Sequence, residues 1–499
     1  MTSIPTAITF LLYIFLMIFI GWLGCRATAT FSDYILGGRR LGSLVTAMAA
    51  GASDMSGWLL MAFPGAIYLA GLSAAWIGLT GTMGAWLNWR IVAPRLRAYT
   101  EQCSNALTLP EYFCNRFNDQ SQALRLIAAV IILIFFTLYC ASGMVAAARL
   151  FENLFQIPYS TAIWAGALVT IFYVLIGGFL AVSWTDTVQA ALMLAALVVT
   201  PIFIIFFSGG YTHSIQIIRA THATATSLSG EMQIADIAFY LTWGLGYFGQ
   251  PHILTRFMAA ESIYSIQKAR RISLTWMVIC LSGAVSVGFF SIAFFSIHPE
   301  LSATVNANSE LVFIEVAKIL FNPWVAGILL SAILAAIMST LSCQLILCSS
   351  TLTEDIFRTF IRRQATQTQL ILYGRLMVLL VAGIAMCLAR NPDSTLFNMV
   401  SYAWAGFGAA FGPVVILSLY WKRMTRNGAM AGMLTGALTV LIWKQFAWFG
   451  VFEMIPGFLL ATTAIILVSL TGSPPTKSVQ SQFDDVERDL RDTRRTGKR

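Results

Sequence analysis

Apolar runs long enough to cross a bilayer recur thirteen times along this 499-residue chain, at roughly 6–25, 42–63, 69–89, 126–148, 160–182, 187–207, 236–252, 273–296, 324–350, 371–389, 395–420, 428–447 and 453–471. A helix rises about 1.5 Å per residue, so a hydrocarbon core of about 30 Å takes about 20 residues. Lipid offers the backbone no hydrogen-bond partner, so such runs are helices rather than open strands. Charged residues make up only 11% of the chain, against about 25% in soluble domains. The pattern predicts an all-α integral membrane protein with about 13 transmembrane helices. Residues 1–471 form one transmembrane domain, and 472–499 form a tail.

The basic residues fix an orientation. With the N-terminus outside, 25 Lys and Arg fall in inner loops and the tail, and five fall outside. That split follows the positive-inside rule and gives a multi-pass membrane protein with its C-terminus on the inner side. A net charge of +9 is then a membrane-orientation signal, and no nucleic-acid partner is implied. The partner is the lipid bilayer; no obligatory protein partner is evident. The opening MTSIPTAITF has no positive n-region and no A-x-A site follows, so the first run reads as a retained span. The eight cysteines are scattered without a CxxC pair, which argues against a disulfide or zinc framework. The polar, charged tail from Gly472 reads as disordered, with a short amphipathic helix the alternative.

Three spans carry polar groups at depth. Span two, TAMAAGASDMSGWLLMAFPG, places Gly51, Ser53, Asp54, Ser56 and Gly57 near the bilayer middle. Two glycines around a carboxylate and two hydroxyls make a poor continuous helix. A broken helix that frees carbonyls for a cation is the functional reading; a packing face with a structural Asp is the plain one. A carboxylate at that depth favours function. Span seven, AFYLTWGLGYFGQPH, is interrupted by Gly244, Gly246, Gly249 and Pro251. Its formal G-x-G-x-x-G lacks the strand and βαβ context of a dinucleotide site. Breaks five spans apart point to inverted halves with a site between them. In span nine, Ala336, Ser339, Thr340 and Cys343 share a helix face. That face is either close packing of small residues or part of an oxygen cage suited to a hard cation. Trp58, Tyr139, Trp243 and Tyr247 lie at similar depth, and Trp58 and Trp243 beside the breaks are the better pocket candidates. Asp186 reads as a helix N-cap at the start of span six, or as a gate carboxylate pairing with Arg39 or Arg40. The four histidines read as ordinary loop or helix-end residues.

At this point a resemblance becomes specific. AGASDMSGWLLM, NALTLPEYF, GGFLAVSWTDTVQA, GYFGQPHILTRFMAA, GILLSAILAAIMSTLSCQ and YAWAGFGAAFGPVV resemble stretches of the solute:sodium symporter family. The similarity runs from about residue 32 to 457; the first span and the tail carry little of it. It implies a LeuT-type five-plus-five inverted repeat. Spans two to six (about 42–207) form one half and spans seven to eleven (about 236–420) the other, with one extra N-terminal and two extra C-terminal helices. It further implies sodium-coupled uptake of L-proline by alternating access, with Na+ as the coupling ion and no organic cofactor. The implied sodium site comprises the Ala52, Met55 and Ala336 carbonyls and the Ser339 and Thr340 hydroxyls, with Asp54 essential to coupling. The implied proline pocket comprises Ser56, Gly57, Trp58, Tyr139, Trp243 and Tyr247.

Three rivals remain. Another small amino or organic acid could be the substrate. A channel would show a symmetric filter, and a membrane enzyme would need a nucleophile–base pair or metal cluster. The chain shows neither pattern.

Overall fold

The computed structural model describes residues 4–26, 30–230, 232–391, 395–446 and 450–496. Residue 447, the end of the twelfth expected run, and 497–499, the end of the tail, lie outside the described residues. The architecture is all-helical. Among the described residues, ten helices are long and apolar enough to cross a membrane. The rest of the expected runs fall short of that measure for physical reasons. The second and seventh are broken into shorter pieces. The fifth, Tyr159–Leu175, is apolar but short.

Burial sorts the helices into core and rim. Every residue of 329–350 on Pro323–Ser350 is buried, and a helix apolar all round belongs in the middle of a bundle. Ser43–Asp54 packs against this helix and against Ile263–Ile297, Tyr159–Phe207 and Pro251–Ala259. Ile4–Arg26, by contrast, leaves Leu11, Leu12 and Phe15 exposed, as lipid-facing side chains should be.

Both interruptions expected from the glycines are present. Ser43–Asp54 ends at Met55, whose φ of −85° and ψ of 74° leave the helical region. The chain resumes as a π-turn at Trp58–Ala62 and then as Phe63–Ala70. Ile234–Trp243 gives way to a 3₁₀ stretch, Gly244–Gly249, before Pro251 starts Pro251–Ala259. Proline suits that first helical position because its missing N–H would have been unpaired there. Gly246 is required by close approach, since a Cβ there would sit 1.9 Å from the Trp404 indole nitrogen.

The expectation for Asp186 needs correction. Asp186 is not a helix N-cap. The sixth segment begins earlier, at a kink where Gly178 takes φ 72° and ψ −173°, a conformation open to glycine. Asp186 therefore lies inside a helix. The tail takes the alternative reading of a helix, over Lys477–Thr496. Its Val479, Phe483, Val486 and Leu490 recur at helical spacing and are all buried. They seat the helix on Ala93–Gln102, with Arg95 to Glu487 at 3.0 Å and Lys422 to Asp484 at 2.6 Å at its edges. The apolar stripe outweighs the high charge content that suggested disorder.

Candidate functional site

The second segment's break faces the buried ninth segment. Ser339 Oγ donates to the Ala52 carbonyl at 2.8 Å and lies 3.0 Å from the Ala336 carbonyl. Thr340 Oγ1 reaches the same Ala52 oxygen at 3.4 Å. Two hydroxyls and two carbonyls thus converge where the helix stops, and Met55 forms the adjoining non-helical turn. All five residues expected to hold sodium are buried. Oxygens of this kind, kept from water, suit a hard monovalent cation and offer nothing to a soft metal.

On its other side the break presents Asp54. Tyr247 donates its hydroxyl to Asp54 Oδ2 at 2.8 Å, joining the two broken segments directly. Trp58 Nε1 donates to the Asp54 carbonyl at 3.2 Å. The Trp58 N–H also points at the Ser56 hydroxyl, 3.4 Å away. The Trp58 ring meets Trp243 edge to face at 6.1 Å. Trp243 in turn stacks between Trp404 and Phe397, with centroids 5.6 and 6.1 Å away. Trp404 Nε1 donates to the Trp243 carbonyl at 3.0 Å, and its ring also meets Tyr247 at 4.9 Å. Tyr139 closes the group from the fourth segment. Its hydroxyl is buried. Gly57 is packed between Ile337 and Ala146, so it shapes the wall rather than offering a contact.

The expected residues therefore gather around one centre. One side of the group is covered: Glu310 accepts from the Leu396 and Phe397 backbone N–H groups at 3.2 and 3.0 Å. That seats Phe397 over Trp243.

The expected pairing of Asp186 with Arg39 or Arg40 is not what the structure shows. Asp186 Oδ2 pairs with Arg256 at 2.7 Å, and both side chains are fully buried. Arg256 also donates to Ser183 and lies over the Phe179 ring. A buried charge needs a buried partner; Arg256 is fully buried, whereas Arg39 is half-buried and Arg40 exposed. Arg39 instead donates to the Met258 and Ala106 carbonyls at 2.9 and 2.8 Å. It ties three stretches of the chain together. Burial, then repulsion from Arg97, lowers its pKa to about 10, so it stays charged at neutral pH. Arg40 is exposed and pairs with Asp33 at 3.3 Å.

Sequence reasoning missed several groups here. Arg256 follows the seventh run and reads in sequence as one more loop charge. Trp404 sat in a quoted stretch, yet no spacing linked it to residue 243. Asn88 donates to the Tyr247 carbonyl at 2.9 Å from within an apolar run that drew no attention. His252, read as an ordinary helix-end residue, is fully buried. Its ring lies 6.0 Å from that of Tyr139, and neither nitrogen has a partner among the described residues.

Known proteins provide an independent comparison. The model of the sodium:solute symporter family matches residues 34–436. The sodium/proline symporter of Escherichia coli is 58% identical over 97% of both chains. The high-affinity proline transporter PutP of Bacillus subtilis is 47% identical over 94% of this chain and 99% of that protein. Among solved structures, a Na+-coupled sialic acid symporter in a substrate-bound outward-open state superimposes with a TM-score of 0.81 at 18% identity. It covers 95% of this chain and 99% of that one; at that identity the likeness concerns the fold.

Proposed function

The chain belongs to the sodium:solute symporter family, and from that premise we propose that it couples the inward movement of sodium to uptake of L-proline by alternating access. It is a multi-pass membrane transporter and not an enzyme. One observation carries the reading: the Ser339 and Thr340 hydroxyls converge on the Ala52 carbonyl where the second segment breaks. The break opposes the aromatic group that would hold the solute.

In this reading the Ala52, Met55 and Ala336 carbonyls and the Ser339 and Thr340 hydroxyls bind sodium. The ion replaces the hydrogen bonds these groups now make with one another, and so fixes the break against the ninth segment. Asp54 couples ion and solute, because its carboxylate is held by Tyr247 of the seventh segment. Proline has a carboxylate, a secondary ammonium and an apolar ring. Free backbone N–H groups at a break suit the carboxylate, and the Trp58, Tyr139, Trp243 and Tyr247 faces suit the ring and the ammonium. Ser56 and Gly57 complete the wall. A potential of 100 mV supplies about 2.3 kcal/mol per charge. At about 1.4 kcal/mol per decade, one ion supports a solute gradient of roughly 40- to 50-fold.

The orientation proposed is N-terminus outside and C-terminus in the cytoplasm of the plasma membrane, on the distribution of Lys and Arg. A C-terminal alkaline phosphatase fusion active outside the cell would reverse it. The function itself is tested by uptake of labelled proline into membrane vesicles. Uptake should saturate, require an inward sodium gradient and be competed by unlabelled proline. Stronger competition by a different amino or organic acid would reassign the substrate.

A further inference from the structure

The second segment's break has a second face, turned away from the Ser339 hydroxyl and toward the third segment. A narrow internal cavity lies there, lined by Asp54, Met55, Asn88, Trp89, Tyr247 and Ser273 among others. Its interior leaves about 10 Å³ for the centre of a water-sized particle. That is room for one water or one small ion, and far too little for an amino acid.

Two acceptor atoms of the lining lack a partner among the described residues. Asp54 spends Oδ2 on the Tyr247 hydroxyl, while its Oδ1 is buried with no partner among the described residues. Asn88 spends Nδ2 on the Tyr247 carbonyl, while its Oδ1 is likewise buried without a partner. Asp54 and Asn88 are 4% and 1% exposed. Buried polar groups as a rule are satisfied, and here the two exceptions are both acceptors on the walls of one cavity. Acceptors call for a donor or a cation. One of the two is a carboxylate, which favours the cation.

The local backbone fits this use. Asn88 opens a π-turn, Asn88–Val92, within the third segment. Such single-turn insertions re-aim side chains and are frequent at functional sites. Trp89 of the same turn lies against Phe257 with centroids 4.5 Å apart, which fixes the turn. Tyr247 holds both residues at once, one through its hydroxyl and the other through its carbonyl. Filling the cavity would therefore be felt directly by the segment that carries the aromatic pocket.

We propose that Asp54 Oδ1 and Asn88 Oδ1 form a holding site for one sodium ion on the third-segment side of the break, distinct from the oxygen group at Ser339. This rests on the sodium-coupled reading above and gives Asp54 a physical role within it. Asn88 is the residue that separates the possibilities. Asn88→Asp keeps an acceptor oxygen but loses the donor to the Tyr247 carbonyl. Asn88→Leu loses both, and Asn88→Ser shortens the reach if the leucine variant fails to fold. The probe is 22Na+ binding to the purified full chain without proline, paired with the sodium dependence of labelled proline uptake. The leucine and serine variants should need about 10- to 100-fold more sodium for half-saturation, the loss expected for one contact to a charged group. The aspartate variant should stay close to the unaltered chain. Equal losses in aspartate and leucine variants would mean that Asn88 only positions Tyr247, and would overturn the site. Unchanged sodium binding in all three would mean that the cavity holds water, and would overturn it as well. Sodium-independent uptake by the unaltered chain would instead remove the functional reading beneath it. Normal Asn88 variants beside impaired Ser339 variants would leave that reading standing.

Discussion

Replacing Ser339 by alanine removes the hydroxyl that lies closest to the second segment's break. It sits 2.8 Å from the Ala52 carbonyl and 3.0 Å from that of Ala336. Thr340 reaches the same Ala52 oxygen only at 3.4 Å, near the limit of a useful hydrogen bond. The two substitutions should therefore differ. Losing one partner in a dry, buried cluster costs about 1–3 kcal/mol. At about 1.4 kcal/mol per decade that is roughly a 5- to 150-fold rise in the sodium concentration for half-maximal uptake. Ser339→Ala should lie in the upper part of that range and Thr340→Ala in the lower part. Thr340→Ser keeps the oxygen and should be mild. Proline affinity at saturating sodium should move much less, because the lesion reaches the solute only through coupling. The assay is initial-rate uptake of labelled proline against sodium concentration in vesicles, with membrane abundance measured in parallel. Normal sodium dependence in both alanine variants would refute the reasoning and place the ion elsewhere.

The buried Asp186–Arg256 pair offers a test of stability rather than affinity. Asp186→Leu or Arg256→Met alone leaves a buried charge unpaired, at a cost of about 3–5 kcal/mol; thermal unfolding of the purified protein should fall sharply for each and recover in the double variant. Failure of the double variant to recover would mean that the charges serve more than each other. Trp243→Ala should weaken apparent proline affinity much more than sodium affinity, since the ring packs on Trp58, Phe397 and Trp404. Tyr247→Phe should weaken sodium dependence as well, because its hydroxyl holds Asp54; equal losses in both variants would mark the aromatics as structural.

Much of this is legible in the sequence. The breaks near residues 55 and 246 follow from glycines and a proline set in apolar runs, because backbone chemistry is local. The face shared by Ala336, Ser339 and Thr340 follows from helical periodicity. Partners brought together only by the fold were not legible. Arg256 reads in sequence as a loop charge, yet it lies fully buried against Asp186. Asp186 looked like a helix start because its neighbours SWTD are polar, but the helix begins at the Gly178 kink. Asn88 was hidden in an apolar run, where a single amide carries no periodicity. The tail misled because charge content dominates its composition. The stripe of Val479, Phe483, Val486 and Leu490 that seats it is only four residues long.

The central claim is that sodium and proline move together through one site. It is tested most directly in sealed proteoliposomes holding only the purified chain, with 22Na+ equal on both sides, the membrane potential clamped at zero, and a proline gradient imposed. The account predicts that 22Na+ moves against its own rising gradient, in the direction of proline flow, and that Ser339→Ala suppresses this movement. Proline flux without any accompanying 22Na+ displacement would contradict it.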